Sequence, residues 1–415
     1  MSTGGALEGA ARDGGYRGLA ERFRPVFAKI GEGAVDREAR RTLPFEQVRW
    51  LRESGFGTVR VPRSDGGLGA TLPEFFRLVI ELGAADSNLP QLLRGHFGFV
   101  ETRLVHPDAG VRSRWLRRIA DGDIVGNAQS ELGNQSFWAN ATTIARSPDG
   151  AGWRLSGRKF YSTGSLFADW VHTTATIDDA TSASVYVPTS ARGVTRLDDW
   201  DGFGQRLTGS GTTVFDDVMI GDEDVEAYDN GQFPRSHVLA IFQLVHLATL
   251  AGIGRAAVAE AVAFVRQRKR NLVNPQYPSP KDDPLIQQVV GRIKGASFAA
   301  EATTLAAADA VEEAYQALAA GLDAGNLLDA ADAAVFAAQG QVIGLVLGLV
   351  SELFEVGGGS AVTERFRLDR HWRNARTLAS HNPVIYRDRV VGDYVLNGTS
   401  PGNWSLRNAD QAQKQ

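Results

Sequence analysis

The chain is expected to be mainly α-helical with a central β domain, in the order helices, sheet, helices. Three observations predict this. From about residue 16 to 125, apolar residues recur at three- and four-residue steps. From about 126 to 225, short segments rich in Thr, Val, Trp and Tyr alternate with Asp/Gly turns. From about 235 to 355, the chain is rich in Ala, Leu and Val and has few breakers. The expected units are a disordered N-terminus (1–15), an N-terminal helical domain (16–125), a small β-barrel domain (126–234), and a C-terminal helical bundle with a tail (235–415).

Residues 1–15 are small, polar and Gly-rich, which predicts disorder. Leu19, Phe23, Val26, Phe27 and Ile30 share one helix face. Phe45 to Ser54 and Thr71 to Ala85 repeat that pattern. Between them Val61 to Ala70 is a turn punctuated by Pro62, Gly66, Gly67 and Gly69. Trp153–Tyr161, Trp170–Ile177, Ala183–Val187 and Gly211–Ile220 read as strands of a small sheet or barrel. Breaks at Asn271–Pro284 and Gly321–Asn326 divide the last region into long helices suited to a bundle, and 365–396 adds a further helical segment.

Composition excludes several classes. With 44 basic and 48 acidic residues the net charge is -4, without the basic footprint of a nucleic-acid binder. There is no cysteine, so disulfides, thiolate nucleophiles and Cys-ligated metals are excluded. The seven histidines are scattered, without ligand spacing, and no metal is expected. The N-terminus, with Glu8 and Asp13, lacks the apolar core of a signal peptide. The apolar run Val342–Val350 is too short to span a bilayer. A soluble, cytoplasmic protein with no membrane partner is expected.

Local motifs are individually weak. Gly252-Ile253-Gly254 has Ala257 where a dinucleotide fingerprint needs glycine, and reads as close helix packing. Asn127 to Glu131 and Gly157 to Ser165 are polar turns that can meet a heteroaromatic ring or a phosphate, or serve as ordinary turns. His96 lies in an apolar, aromatic setting, and His381 lies at a helix end, where a histidine is also favoured by the helix dipole. Trp372 to Pro383 holds Arg, Asn and His but no carboxylate.

Together the motifs resemble the acyl-CoA dehydrogenase superfamily over nearly the whole chain. Val61-Pro62 with Gly66 to Gly69, Gly157-Arg158-Lys159, and Leu250 to Ala256 carry the likeness. The resemblance implies an N-terminal helical domain, a small β-barrel and a C-terminal four-helix bundle. Its dehydrogenases need a glutamate base near the substrate carbon. Arg376–Pro383 and Arg235–Ala259, the two positions where such a base is found, hold no acid. The closer resemblance is to the two-component flavin-dependent monooxygenases typified by dibenzothiophene monooxygenase. It is carried by Asn127-Ala128-x-Ser130-Glu131, Asp198-Asp199-Trp200, Gly204-x-Arg206, Thr208-x-Ser210-Gly211, Phe354-Glu355-Val356-x-Gly358, and Asp369 to Pro383 followed by Leu396-Asn397-Gly398.

That resemblance implies reduced FMN, with FAD as the alternative flavin, delivered by a separate NAD(P)H-dependent flavin reductase. It implies oxygen activation through a flavin C4a-(hydro)peroxide and transfer to a small apolar, organosulfur or aromatic substrate. Asn127, Ser130, Tyr161, Ser162 and Thr163 would contact the flavin ring. Arg270 would pair with its phosphate across a subunit interface, beside Gly358, Gly359 and Ser360. Ser360 stands where the family carries Arg, with Arg365 or Arg367 as replacements. His96 and His381 would flank the reacting centre with Asn127, since imidazole titrates near pH 6.5. Phe97, Phe99, Phe137, Trp138, Trp200 and Phe242 would wall the substrate pocket. A homotetramer is implied. The rivals are an FAD-dependent dehydrogenase using Glu355 or Glu364 as a displaced base, and a non-catalytic scaffold.

Overall fold

A computed structural model describes residues 15–132, 141–179, 181–229, 235–271, 274 and 276–403. The predicted disorder at 1–14 and the pocket residues Phe137 and Trp138 lie outside these residues. Seven helices open the chain: α1 (Gly15–Gly31), α2 (Ala34–Ala39), α3 (Phe45–Ser54), α4 (Leu72–Ala85), α5 (Asn88–Leu92), α6 (Arg94–Leu104) and α7 (Ala109–Ala120). Phe23, Phe27 and Ile30 of α1 are buried, as their spacing requires. They join Phe56, Phe75 and Phe97 in an aromatic core of mostly edge-on contacts, Phe75–Phe97 at 4.9 Å. Helix α4 starts at a capping box in which Thr71 and Glu74 satisfy each other's free backbone N–H groups.

The middle of the chain forms one mixed sheet from β1 (Val125–Ala128), β2 (Thr143–Arg146), β3 (Trp153–Lys159), β4 (Trp170–Thr176), β5 (Thr181–Pro188), β6 (Val194–Arg196), β7 (Thr213–Ile220) and β8 (Val225–Asp229). The strand order is β6-β7-β3-β2-β4-β5-β8, with β1 parallel to β4. Leu155, Val171, Val185, Phe215 and Val218 face a separate small core. The alternation of β4, buried at every second residue, is what a sheet with one covered face produces.

The C-terminal bundle is built from α8 (Val238–Gln267), α9 (Pro284–Ala319), α10 (Gly325–Glu352), α11 (Asp369–Ser380) and α12 (Arg387–Asn397). By length and composition alone α8 and the 325–356 stretch are apolar enough to cross a bilayer, a test that the core helix of a globular fold also passes. In the fold α8 is a core helix instead, packed against α4, α9, α10 and α11. Gly252 explains the approach of α8 to α4: a Cβ there would lie 2.7 Å from the Ile80 carbonyl oxygen. The Gly252-Ile253-Gly254 motif is therefore a packing device.

Candidate active site

The site is assembled where β1, the turn after β3, the N-terminal end of α6, the first third of α8 and the end of α11 converge. On the sheet side, Ser130 pairs with Phe160 in an isolated bridge. Lys159 and Glu131, both buried, form an ion pair at 2.6 Å beneath it. Tyr161 then adopts a left-handed backbone, φ 56°, unusual for a bulky residue and a mark of a constrained site. Its half-exposed ring stands edge-on to Trp200, with centroids 6.1 Å apart. Ser162 is fully buried, and its Oγ has no hydrogen-bond partner among the described residues. Thr163, Ser210 and Thr208 form a hydroxyl chain, with links of 2.8 and 2.7 Å.

Two motifs that lie some 170 residues apart in sequence mate here. The Trp200 indole N–H donates to the Gln205 carbonyl, and the Gln205 N–H donates to Asn374 Oδ1 at 2.6 Å. Asn374 in turn donates to Glu38 of α2, and Arg373 donates to the Phe203 carbonyl. The Trp372–Pro383 stretch thus locks the sheet to both helical domains.

On the helical side, Gly95 lets α6 touch β1: a Cβ there would lie 2.7 Å from Asn127 Oδ1. The neighbouring Arg94 donates from Nε to the Phe242 carbonyl at 2.9 Å, and its guanidinium lies 4.7 Å from the Phe242 ring centre. One turn along α8, His246 is 4% exposed, and its Nε2 has no partner among the described residues. Its ring lies 4.4 Å from that of His381. His381 itself is exposed. Dehydration and the charge of Arg94 hold both imidazoles below the ordinary histidine value, so both are neutral at pH 7. Asn382 donates to Gln243 at 2.8 Å and ties the residue after His381 to α8.

The structure separates several residues expected to act together. His96 does not face His381. Its Nε2 lies 3.0 Å from the Gly57 carbonyl and its Nδ1 accepts from the Val125 N–H at 3.3 Å, so both ring nitrogens serve backbone. Burial holds its pKa at about 4. Phe97 belongs to the N-terminal core, and Phe99 packs between Trp115 and Tyr186. Neither walls the site, because they project from different sides of α6 into two cores. Phe242 and Trp200 do lie at it.

Arg270 is exposed just beyond α8, and Gly358, Gly359 and Ser360 lie on an exposed turn. The donation of Arg268 to the Val356 carbonyl brings these two segments together. From His246 to Arg268, however, is about 33 Å along the helix. Arg365 is exposed with its guanidinium over the Phe366 ring, and Arg367 lies 3.7 Å from Glu364.

Arg94 and His246 escaped the sequence reading. The only signals were an arginine inserted between Leu93 and Gly95, and a histidine inside the apolar run of α8.

Among the described residues the dehydrogenase alternative finds no base here. Glu355 and Glu364 are both exposed. Glu260 lies 3.0 Å from His371 and is also paired with Arg370. Burial pushes its pKa up, but these partners outweigh it and leave it at about 2.

Comparison with known proteins agrees with this geometry. The acyl-CoA dehydrogenase N-terminal domain family matches residues 18–123 and the C-terminal domain family residues 244–385. Dibenzothiophene monooxygenase of Mycolicibacterium goodii is 30% identical, covering 91% of this chain and 93% of its own. A probable FMNH2-dependent monooxygenase, SfnC of Pseudomonas putida, is 27% identical over 91% of this chain and 94% of its own. Among solved structures, FMN-bound TdsC from Paenibacillus sp. A11-2 superposes with a TM-score of 0.84 at 26% identity, over 92% of this chain and 98% of that one. Methanesulfinate monooxygenase MsuC from Pseudomonas fluorescens superposes with a TM-score of 0.79 at 26% identity, over 92% and 97%. The chain belongs to the acyl-CoA dehydrogenase superfamily, in the flavin-dependent monooxygenase branch that includes the dibenzothiophene monooxygenases.

Proposed function

We propose that this protein is a reduced-FMN-dependent monooxygenase of small organosulfur or related organic molecules. The observation that carries the proposal is the charge pattern of the site. Two imidazoles and a guanidinium converge, and no described carboxylate acts on any of the three. Removal of an α-proton from a thioester has no base here. The orphaned, buried Ser162 Oγ and the strained Tyr161 backbone suit a bound ring that completes their surroundings. Asn127, Ser130, Tyr161, Ser162 and Thr163 would hold that ring.

When bound, reduced FMN supplies the two electrons that let one atom of dioxygen enter the substrate while the other leaves as water. The chain's part is orientation, dryness and proton placement. Neutral His381 can donate from one ring nitrogen and accept at the other, which suits a residue that holds a proton at the site's edge. Its nearest imidazole is His246, and this pairing takes the place of the expected His96–His381 pair. A NAD(P)H-dependent reductase acting in the cytoplasm would deliver the flavin, since no nucleotide fingerprint precedes the helices of this chain.

The separation of Arg270 and Gly358–Ser360 from His381 exceeds the length of one FMN. A phosphate contact from this group therefore requires another subunit's copy, which favours a homotetramer. The exposed Phe298 on α9 and Leu285 at its start supply apolar surface for such an assembly. Light scattering checks the assembly; a monomer would contradict it.

Turnover with an FMN reductase, NADH and oxygen tests the function. His381→Ala should divert oxygen to free hydrogen peroxide and cut product per NADH severalfold; unchanged coupling would remove His381 from its role. Anaerobic bleaching of bound FAD by an acyl-CoA would favour the dehydrogenase instead.

A further inference from the structure

We propose that Arg94, His246 and His381 form an oxyanion-recognition site, and that the substrate is a small organic anion, a sulfinate or a carboxylate, rather than a neutral apolar ring. This rests on the monooxygenase function proposed above and refines its substrate class.

Three features carry it. First, Arg94 is partly buried and has no described carboxylate within ion-pair distance. Its contacts are a backbone carbonyl and an aromatic face, which orient the guanidinium without neutralising it. A partly buried charge without a counterion carries a desolvation cost, and a ligand anion would relieve it. Second, His246 is buried with an unused Nε2 and faces His381, so a further polar atom at the site lacks a partner. Third, Arg94 keeps partial solvent access and His381 is exposed, so the cluster is open on one side.

A planar guanidinium beside two neutral imidazoles matches a compact group with two acceptor oxygens. A purely apolar ring in the same place would leave Arg94 and His246 unsatisfied. Asn127, against Gly95 next to Arg94, puts the cluster beside the residues assigned to the flavin ring. The anion would therefore sit close to the centre that delivers oxygen.

The test is calorimetric titration of the whole protein, with and without oxidised FMN, using benzenesulfinate and benzoate against the neutral methyl phenyl sulfone. The sulfinate should bind at least tenfold more tightly than the sulfone. Arg94→Met should abolish that preference, Arg94→Lys should keep part of it, and His246→Phe should weaken it severalfold. FMN affinity should stay within twofold in all three variants. Equal or tighter binding of the sulfone, or a preference that survives Arg94→Met, would overturn the proposal. Loss of FMN affinity in Arg94→Met with anion preference retained would assign the cation to the flavin and overturn it too. If Arg94→Met fails to fold, Arg94→Lys decides alone: undiminished preference for the sulfinate over the sulfone overturns the role of the guanidinium fork. Absence of FMN binding with sulfinate binding intact would instead overturn the flavin assignment and leave the anion site standing.

Discussion

Two Arg–His clusters lie along the same α6–α8 interface, and they are built on opposite principles. In one, Glu101 of α6 is held by Arg60 at 2.6 Å and by His237, at the start of α8, at 2.9 Å. In the other, about 10 Å along α6, Arg94 meets His246 and His381 with no described acid beside them. The first cluster is closed in charge: the Glu101 carboxylate sits between Arg60 and His237, Glu312 lies 3.9 Å from Arg60, and Arg60, Glu101 and His237 are buried, with His237 Nδ1 left without a partner among the described residues. The second is left open in charge and in solvent access. The comparison teaches that a partly buried cation need not be a structural element. Where the fold wanted a staple it supplied the carboxylate, and where it did not, the missing partner points to a ligand.

Breaking the closed cluster should give the largest effect. Glu101→Gln leaves Arg60 in the core with only the more distant Glu312 as counter-charge and takes from His237 its carboxylate partner, and should cost about 3–5 kcal/mol of stability in denaturant unfolding. A loss below about 1 kcal/mol would mean that the closed cluster does not hold the interface.

Acid should reproduce part of that loss. Burial alone would raise the Glu101 pKa, but Arg60 and His237 outweigh it and leave it at about 2. Its folded value is therefore below the unfolded one. The stability it contributes is present above about pH 4.5 and is lost as pH falls from there toward 2. Glu260 behaves the same way. Unfolding midpoints measured between pH 7 and 3 should fall steeply below 4.5, and less steeply in Glu101→Gln; parallel curves would contradict the assignment.

The open cluster should respond in the opposite sense. Without ligand, Arg94→Met removes an unpaired, partly buried charge, and should leave stability within about 1 kcal/mol of wild type or raise it. A loss comparable to that of Glu101→Gln would erase the distinction between the clusters. The smallest effect is expected for His246→Phe, which replaces an unsatisfied ring nitrogen with carbon in a similar shape and should be nearly neutral in thermal unfolding.

Helices α3 and α4 were legible in the sequence, because apolar periodicity is a local signal; the Thr71–Glu74 cap of α4 emerged only from the structure. The longer strands β3, β4, β5 and β7 were legible too. Strands β1, β2, β6 and β8 were not: at three to five residues each they are too short to show alternation, and β1 and β8 also pair with strands that are not their neighbours in sequence, β4 and β5. Of the residues proposed for the site, Asn127, Tyr161, Ser162 and His381 were put forward through the family pattern. His96 was assigned by that pattern to the reacting centre, but the backbone at Gly57 and Val125 claims both its nitrogens. Arg94 and His246 have meaning only as a pair across two helices some 150 residues apart, and no spacing rule announces such a pair.

The most direct test of the central claim is isotopic. The protein, an FMN reductase, NADH and benzenesulfinate are incubated under 18O-labelled dioxygen, and the product is weighed by mass spectrometry. One labelled oxygen atom per product molecule, lost in His381→Ala while NADH is still consumed, is the predicted result. Product formed without label, or no product from the sulfinate or a panel of neutral organosulfur compounds while an acyl-CoA reduces bound flavin without oxygen, would contradict it.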